Sequence, residues 1–343
     1  MKKYILISLL LLSFISCTKT IDFDDEGMAN QLVLNSIIYP DQGIRANLTA
    51  STSILNRQIS AGGGLMADGT VEVYENGKLL KDQYSPTGVF EFTDIRPKPG
   101  ATYKMVAKSL GKQLEAETTI PGKAQVISID TAIVTGQFLN KRLQVDVKVK
   151  DVPGDNYYRI LVKKEDLVLN KNADGKGTPK YYLYTMEDWF SSDSPVFNSL
   201  FNNYGGEELD LGPENDYHIF PDDYFKGKEY SIRFFINNYN IGTTSPTGGP
   251  GGYAPTQVIY TRRVVYIQHL SKDLFTYLKY LKLYNFYHDN PFAEPVPVYS
   301  NVKNGVGLFA GFNDEAKFTY EKTYVPYSMD TIKIEKNPYN YTY

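Results

Sequence analysis

Val71-Glu72-Val73-Tyr74-Glu75-Asn76-Gly77-Lys78-Leu79-Leu80 settles the fold class. Val71 and Val73 alternate with Glu72, which places apolar side chains on one face of an extended chain and polar ones on the other. Asn76-Gly77 accepts positive φ at both central positions of a two-residue hairpin turn, and Leu79-Leu80 opens the returning strand. The same grammar continues outward. On the N-terminal side, Leu32-Val33-Leu34 and Ile37-Ile38-Tyr39 lead into the turn Pro40-Asp41-Gln42-Gly43, and Ala46, Leu48 and Ala50 alternate with polar residues. On the C-terminal side, Val89–Phe92, Tyr103–Ala107 and Glu115–Ile120 read as strands, separated by Pro97-Lys98-Pro99-Gly100 and Gly111. Short strands punctuated in this way predict an Ig-like or prealbumin-like β-sandwich over residues 29–122.

Pro121-Gly122-Lys123 marks a boundary, and a larger β-domain is expected over 123–343. Leu143, Val145, Val147 and Val149 form a clean alternating strand. Pro153-Gly154-Asp155-Asn156 turns into Tyr157–Val162, so these two segments are expected to form a hairpin. Tyr230–Ile236 and Val258–Ile267 are further strands, while 170–180, 193–214 and the Gly/Pro/Thr-rich stretch 242–255 read as loops. Ser271 is a natural N-cap for one amphipathic helix near 271–288, with Leu274, Tyr277, Leu278, Leu281 and Tyr284 on its inward face. Beyond it, Val296–Val302 and Val306–Phe312 are expected as strands about the turn Lys303-Asn304-Gly305. Pro295 and Pro297 argue for an edge position, and Gly307 for a bulge or a close backbone approach. The expected class is therefore mainly β, a sandwich followed by a larger β-domain with one helix.

Composition limits the chemistry. The chain has 343 residues, 42% of them hydrophobic, so it can bury a core and is not a disordered protein. With 36 basic and 39 acidic residues, it has no basic excess to hold a phosphate backbone, which excludes nucleic acid as a partner class. One cysteine and three histidines exclude a disulfide framework and a thiolate zinc site, so no metal or cofactor is expected. No nucleotide loop, nucleophile elbow or metalloprotease motif occurs. The carboxylate pairs Glu207-Glu208 and Asp222-Asp223 fall in polar loops, adjacent rather than opposed across a cleft, so no catalytic residues are assigned and a non-enzyme is expected. There are 29 tyrosines against one tryptophan, a balance that argues against a carbohydrate specialist. The candidate ligand or partner contacts are Tyr239 and Tyr253, which flank or occupy the loop 242–255, and Trp189 in the aromatic segment before Phe190.

The N-terminus reads as an address. Met1-Lys2-Lys3 precedes the uncharged run Tyr4–Ile15, the n- and h-regions of a signal peptide over 1–16. Ser13-Phe14-Ile15-Ser16-Cys17 resembles a bacterial lipobox, with Phe14 in place of the usual Leu. The resemblance implies cleavage after Ser16 and diacylglycerol on the Cys17 thiol. Residues 17–28 form an acidic tether. Its Asp22, Asp24, Asp25 and Glu26 resemble the surface-export signal of Bacteroidota lipoproteins, which implies display on the cell surface.

Two further stretches carry a family resemblance. One is Pro99-Gly100-Ala101-Thr102-Tyr103 with Ala116-Glu117-Thr118-Thr119-Ile120-Pro121. The other is Asn290-Pro291-Phe292-Ala293-Glu294-Pro295 with Ser300-Asn301-Val302 and Gly305-Val306-Gly307-Leu308-Phe309. With the lipobox, they resemble the Bacteroidota lipoproteins of the domain-of-unknown-function family 4249. The resemblance implies a lipid-anchored outer-membrane protein working beside a TonB-dependent receptor, and it supplies no catalytic residues. Three readings follow: an accessory that captures or covers a ligand for a transporter, a structural or assembly adaptor that binds protein only, and, less favoured, a surface hydrolase.

Overall fold

The computed structural model describes residues 31–51, 65–136, 141–170, 180–201, 212–236, 256–290, 294–323 and 334–335. The fold is mainly β, as the alternation implies. Strands β1 (Leu32–Ile38), β2 (Ile44–Ala50), β3 (Leu65–Met66), β4 (Gly69–Glu75), β5 (Lys78–Ser85), β6 (Val89–Phe92), β7 (Thr102–Ser109) and β8 (Lys112–Thr119) make the N-terminal part. Then come β9 (Gln125–Thr135), β10 (Lys141–Lys150), β11 (Tyr157–Asn170), β12 (Lys180–Glu187), β13 (Phe190–Ser191), β14 (Ile219–Pro221), β15 (Glu229–Ile236) and β16 (Thr256–Leu270). The long helix Lys272–Tyr287, β17 (Val306–Thr323) and β18 (Ile334–Glu335) complete it.

Three sheets result among the described residues. The largest has ten strands in the order β18-β12-β11-β16-β17-β1-β2-β3, with β14 beside β11 and β6 beside β2; the others are β13-β15-β10-β9 and β5-β4-β7-β8. Leu34, Leu48 and Phe90 of the large sheet pack on Val71, Tyr103 and Leu114 in one core, which also takes in Phe309 from β17. Val145, Val147 and Phe234 face Ile160, Val162 and Ile267 in a second. Each such fully buried side chain contributes roughly 1.5–3 kcal/mol. β17 serves both regions, because it pairs antiparallel with β16 and parallel with β1 from Val33↔Val306 to Ile38↔Gly311.

Local signals explain much of this. Asn76 and Gly77 take φ 48° and 80°, as the hairpin turn between β4 and β5 requires. Gly307 sits at φ 123°, and a Cβ there would collide with the Leu34 carbonyl, so the close approach expected of this glycine is real. Ser271 caps the helix by accepting a hydrogen bond from Leu274 N at 3.3 Å. The helix lies on the protein through Leu274, Phe275 and Leu283, with Tyr277 and Leu278 packed alongside. The buried stripe is therefore rotated from the expected one, leaving Tyr284 39% exposed.

Two expectations need correction. Residues 143–149 and 157–162 do not form a hairpin: β9 and β15 occupy both edges of β10, so the turn at 153–156 carries the chain across to the other sheet. Residues 296–302 form no strand. Proline nitrogens cannot donate there, and the Asn301 side chain does the pairing instead, donating to Phe309 O at 2.7 Å and accepting from Phe309 N at 3.0 Å. Tyr181–Tyr184 belong to β12 and pair with β11. Charges inside the second region are paired: Lys164 Nζ lies 2.6 Å from Asp166, which also accepts from Thr261 Oγ1, and Arg263 Nε donates to Asp188 at 2.6 Å.

Candidate functional site

Trp189 lies where the chain passes from the large sheet to the smaller one. On its N-terminal side, Asp188 is held inward: its N–H donates to Val162 O at 2.8 Å and its carboxylate holds Arg263. On its C-terminal side, Phe190 enters the register of β15 opposite Ile236 and is buried. Successive side chains of an extended chain alternate, so two inward neighbours force the indole outward. Trp189 is 71% exposed. The sole tryptophan of the chain thus stands at the surface.

The indole borders a cavity of about 470 Å³, a size typical of small-molecule sites. Its apolar floor is built from Phe190, Phe197 and Phe201, all buried. Phe190 stacks on the His218 ring at 3.6 Å between centroids and meets Phe197 edge-on at 5.9 Å. The rim carries Ser191, Asn198 and Glu214.

One wall depends on Asn215. Its amide donates to Phe197 O at 3.1 Å and to Ile219 O at 2.7 Å, and its carbonyl accepts from Ile219 N at 3.2 Å. This brace holds His218 at φ 51°, a backbone conformation uncommon for a residue with a side chain. Burial pushes the His218 imidazole down to about 4, with a hydrogen bond at the Phe190 backbone pulling the other way, so the ring is neutral at ordinary pH. Asp216 is neutralised by Lys282 Nζ at 2.8 Å, which ties the pocket wall to the long helix. Among the described residues, Asp216 Oδ1 and His218 Nδ1 are enclosed without hydrogen-bond partners. No lysine or arginine is among the described residues that line the cavity.

A second polar cluster is a brace rather than a site. Asn156 Nδ2 donates to Val152 O at 2.7 Å, to Asp222 at 3.0 Å and to Asp151 at 3.3 Å, while Gly227 N donates to Asp151 at 2.6 Å. Burial raises the Asp222 carboxyl above its ordinary range, against the hydrogen bonds from Asn156. Asp222, expected in a solvated loop, is thus buried and pins the β10–β11 connection. Among the described residues no three His, Cys, Asp or Glu side chains converge to hold a metal ion, and no helix is long and apolar enough to cross a membrane.

Of the candidate contact, lipidation and export residues, only Trp189 lies among the described residues. Cys17, Asp22, Asp24, Asp25, Glu26, Tyr239 and Tyr253 lie outside the described residues. Asn198, Glu214 and His218 were missed as site residues. The 193–214 stretch offered only polarity, and nothing in it marks the aromatic floor that Phe197 and Phe201 complete.

No curated protein matches this chain. Among solved structures, one named "Putative membrane anchored protein from Corynebacterium diphtheriae" aligns at 14% identity, over 70% of this chain and 55% of its own length, with a TM-score of 0.19. The chain thus spans about half of that protein, and a superposition this loose carries no argument. A family model described as "Domain of unknown function (DUF4249)" matches residues 18–317, most of the chain. The chain belongs to that family.

Proposed function

We propose that the protein is a non-catalytic accessory subunit, lipid-anchored through Cys17 at the outer membrane and displayed on the cell surface. There it captures a ligand for a TonB-dependent transporter. The observation that carries the capture reading is the exposed Trp189 beside a cavity with an aromatic floor. An anchor confines the protein to the plane of its partner and raises the effective concentration of what it holds. Supporting the anchor are the h-region, the lipobox-like Ser16-Cys17 and the absence of any other cysteine in the chain. Cell-surface display rests on Asp22, Asp24, Asp25 and Glu26.

The adaptor reading is favoured by one observation. Strand β9 is the edge of its sheet, is eleven residues long, and exposes Ile127 and Ile133. A long edge strand with few charges is a template for pairing with another chain. One experiment separates the readings. Wild-type and Trp189→Ala protein are extracted from cells in mild detergent and examined by native mass spectrometry. Capture predicts a small-molecule adduct on wild type that Trp189→Ala loses. Protein partners without any adduct would favour the adaptor.

A further inference from the structure

We infer that the Trp189 cavity takes an uncharged glycan, one sugar ring lying against the indole and its hydroxyls meeting Ser191, Asn198 and Glu214. This rests on the capture reading and gives it a ligand class.

The polar groups at the rim make the selection. Ser191 and Asn198 each offer both a donor and an acceptor, Glu214 offers an acceptor, and the indole N–H a donor. Among the described residues none of these four side chains spends a hydrogen bond on the protein. A mixture of donors and acceptors is matched by hydroxyls, which both donate and accept. An anionic ligand finds no lysine or arginine among the described lining residues. A cationic ligand finds one uncommitted carboxylate, Glu214, since Asp216 is already held by Lys282. A wholly apolar ligand would leave the rim groups desolvated and unpaired, which opposes binding. The flat aromatic face needed for the C–H side of a sugar ring comes from Trp189, because Phe190, Phe197 and Phe201 are buried. The excess of tyrosine over tryptophan argued against glycans on numbers alone. Placement reverses that argument, since the sole tryptophan stands at the cavity mouth.

That tryptophan is also the reporter. The purified mature chain is titrated, with Trp189 emission as readout, against neutral malto-, cello- and N-acetylglucosamine oligosaccharides. An oligogalacturonate serves as the anionic probe, and a glucosamine oligomer and an arginine-rich peptide as cationic ones. The expected result is a saturable shift with at least one neutral oligosaccharide and none with the charged probes. By calorimetry Trp189→Ala, checked for an unchanged circular dichroism spectrum, should weaken that binding at least about tenfold. Asn198→Ala should weaken it several-fold, and Glu214→Gln, which keeps an acceptor, should weaken it less than Glu214→Ala. Saturation by a charged probe alone, lost by calorimetry in Trp189→Ala, would overturn the glycan assignment and leave capture standing. Neutral binding undiminished in Trp189→Ala would remove the cavity from the capture reading as well. Silence from every neutral probe overturns the assignment.

Discussion

His218 carries two costs, a left-handed backbone and a desolvated imidazole, and both are held in place by its neighbours. Its titration gives a signed consequence. In the unfolded chain the ring takes a proton near the ordinary value of 6.5; in the folded protein it resists until about pH 4. Below 6.5 the unfolded state therefore binds more protons at this position, and stability falls as pH drops through that window. A separation of this size is worth roughly 3 kcal/mol between neutral pH and pH 4. His269, also lowered by burial, adds in the same direction. His218→Asn, which tolerates the left-handed backbone and does not titrate, should flatten the acid side of a urea-midpoint profile without abolishing its slope. An unchanged profile would contradict the buried neutral ring. At this scale, Gly307 was legible because a glycine inside a strand has few other reasons to be there. Trp189 was not. Its exposure follows from Asp188 and Phe190 turning inward, and both do so through partners distant in sequence, Arg263 and Ile236.

Elements were legible where a local signal sufficed. The Asn76-Gly77 hairpin, the strand 143–149 and the helix start at Ser271 each rest on nearby residues. Pairing was not legible, because it depends on which edges are already taken. Two strands joined by a Pro-Gly turn look like a hairpin until β9 and β15 fill both sides of β10. The Ser271 cap offers a test at this scale. Its hydroxyl accepts from Leu274 N at the helix start and from Gly311 N on β17, so it joins the helix to the sheet. Ser271→Ala removes both acceptor contacts and should destabilise the protein by about 1–2 kcal/mol in chemical denaturation, with Ser271→Thr restoring most of the loss. No change in the midpoint on Ser271→Ala would show that neither contact matters.

Over the whole molecule, the mainly β class was readable from alternation and turns, whereas the ten-stranded sheet in which β17 joins β1 was not. β1 and β17 are joined by a parallel pairing across 273 residues of sequence, as the contact of Asn35 Oδ1 with Leu308 N illustrates, and no local pattern announces a neighbour so remote. The candidate site is of the same kind. Its residues come from the β12–β13 crossing, from 195–201 and from the turn before β14, and only the folded chain brings them to one cavity. Capture is useful only if the protein stands beside something that carries the ligand onward. The most direct measurement is therefore affinity purification of the full-length protein from cells after gentle detergent extraction, with the co-purifying proteins identified and quantified against a Cys17→Ser control. The account predicts a TonB-dependent receptor at near-stoichiometric amounts, and its loss from the Cys17→Ser sample. Recovery of the lipidated protein with no outer-membrane transporter would contradict it.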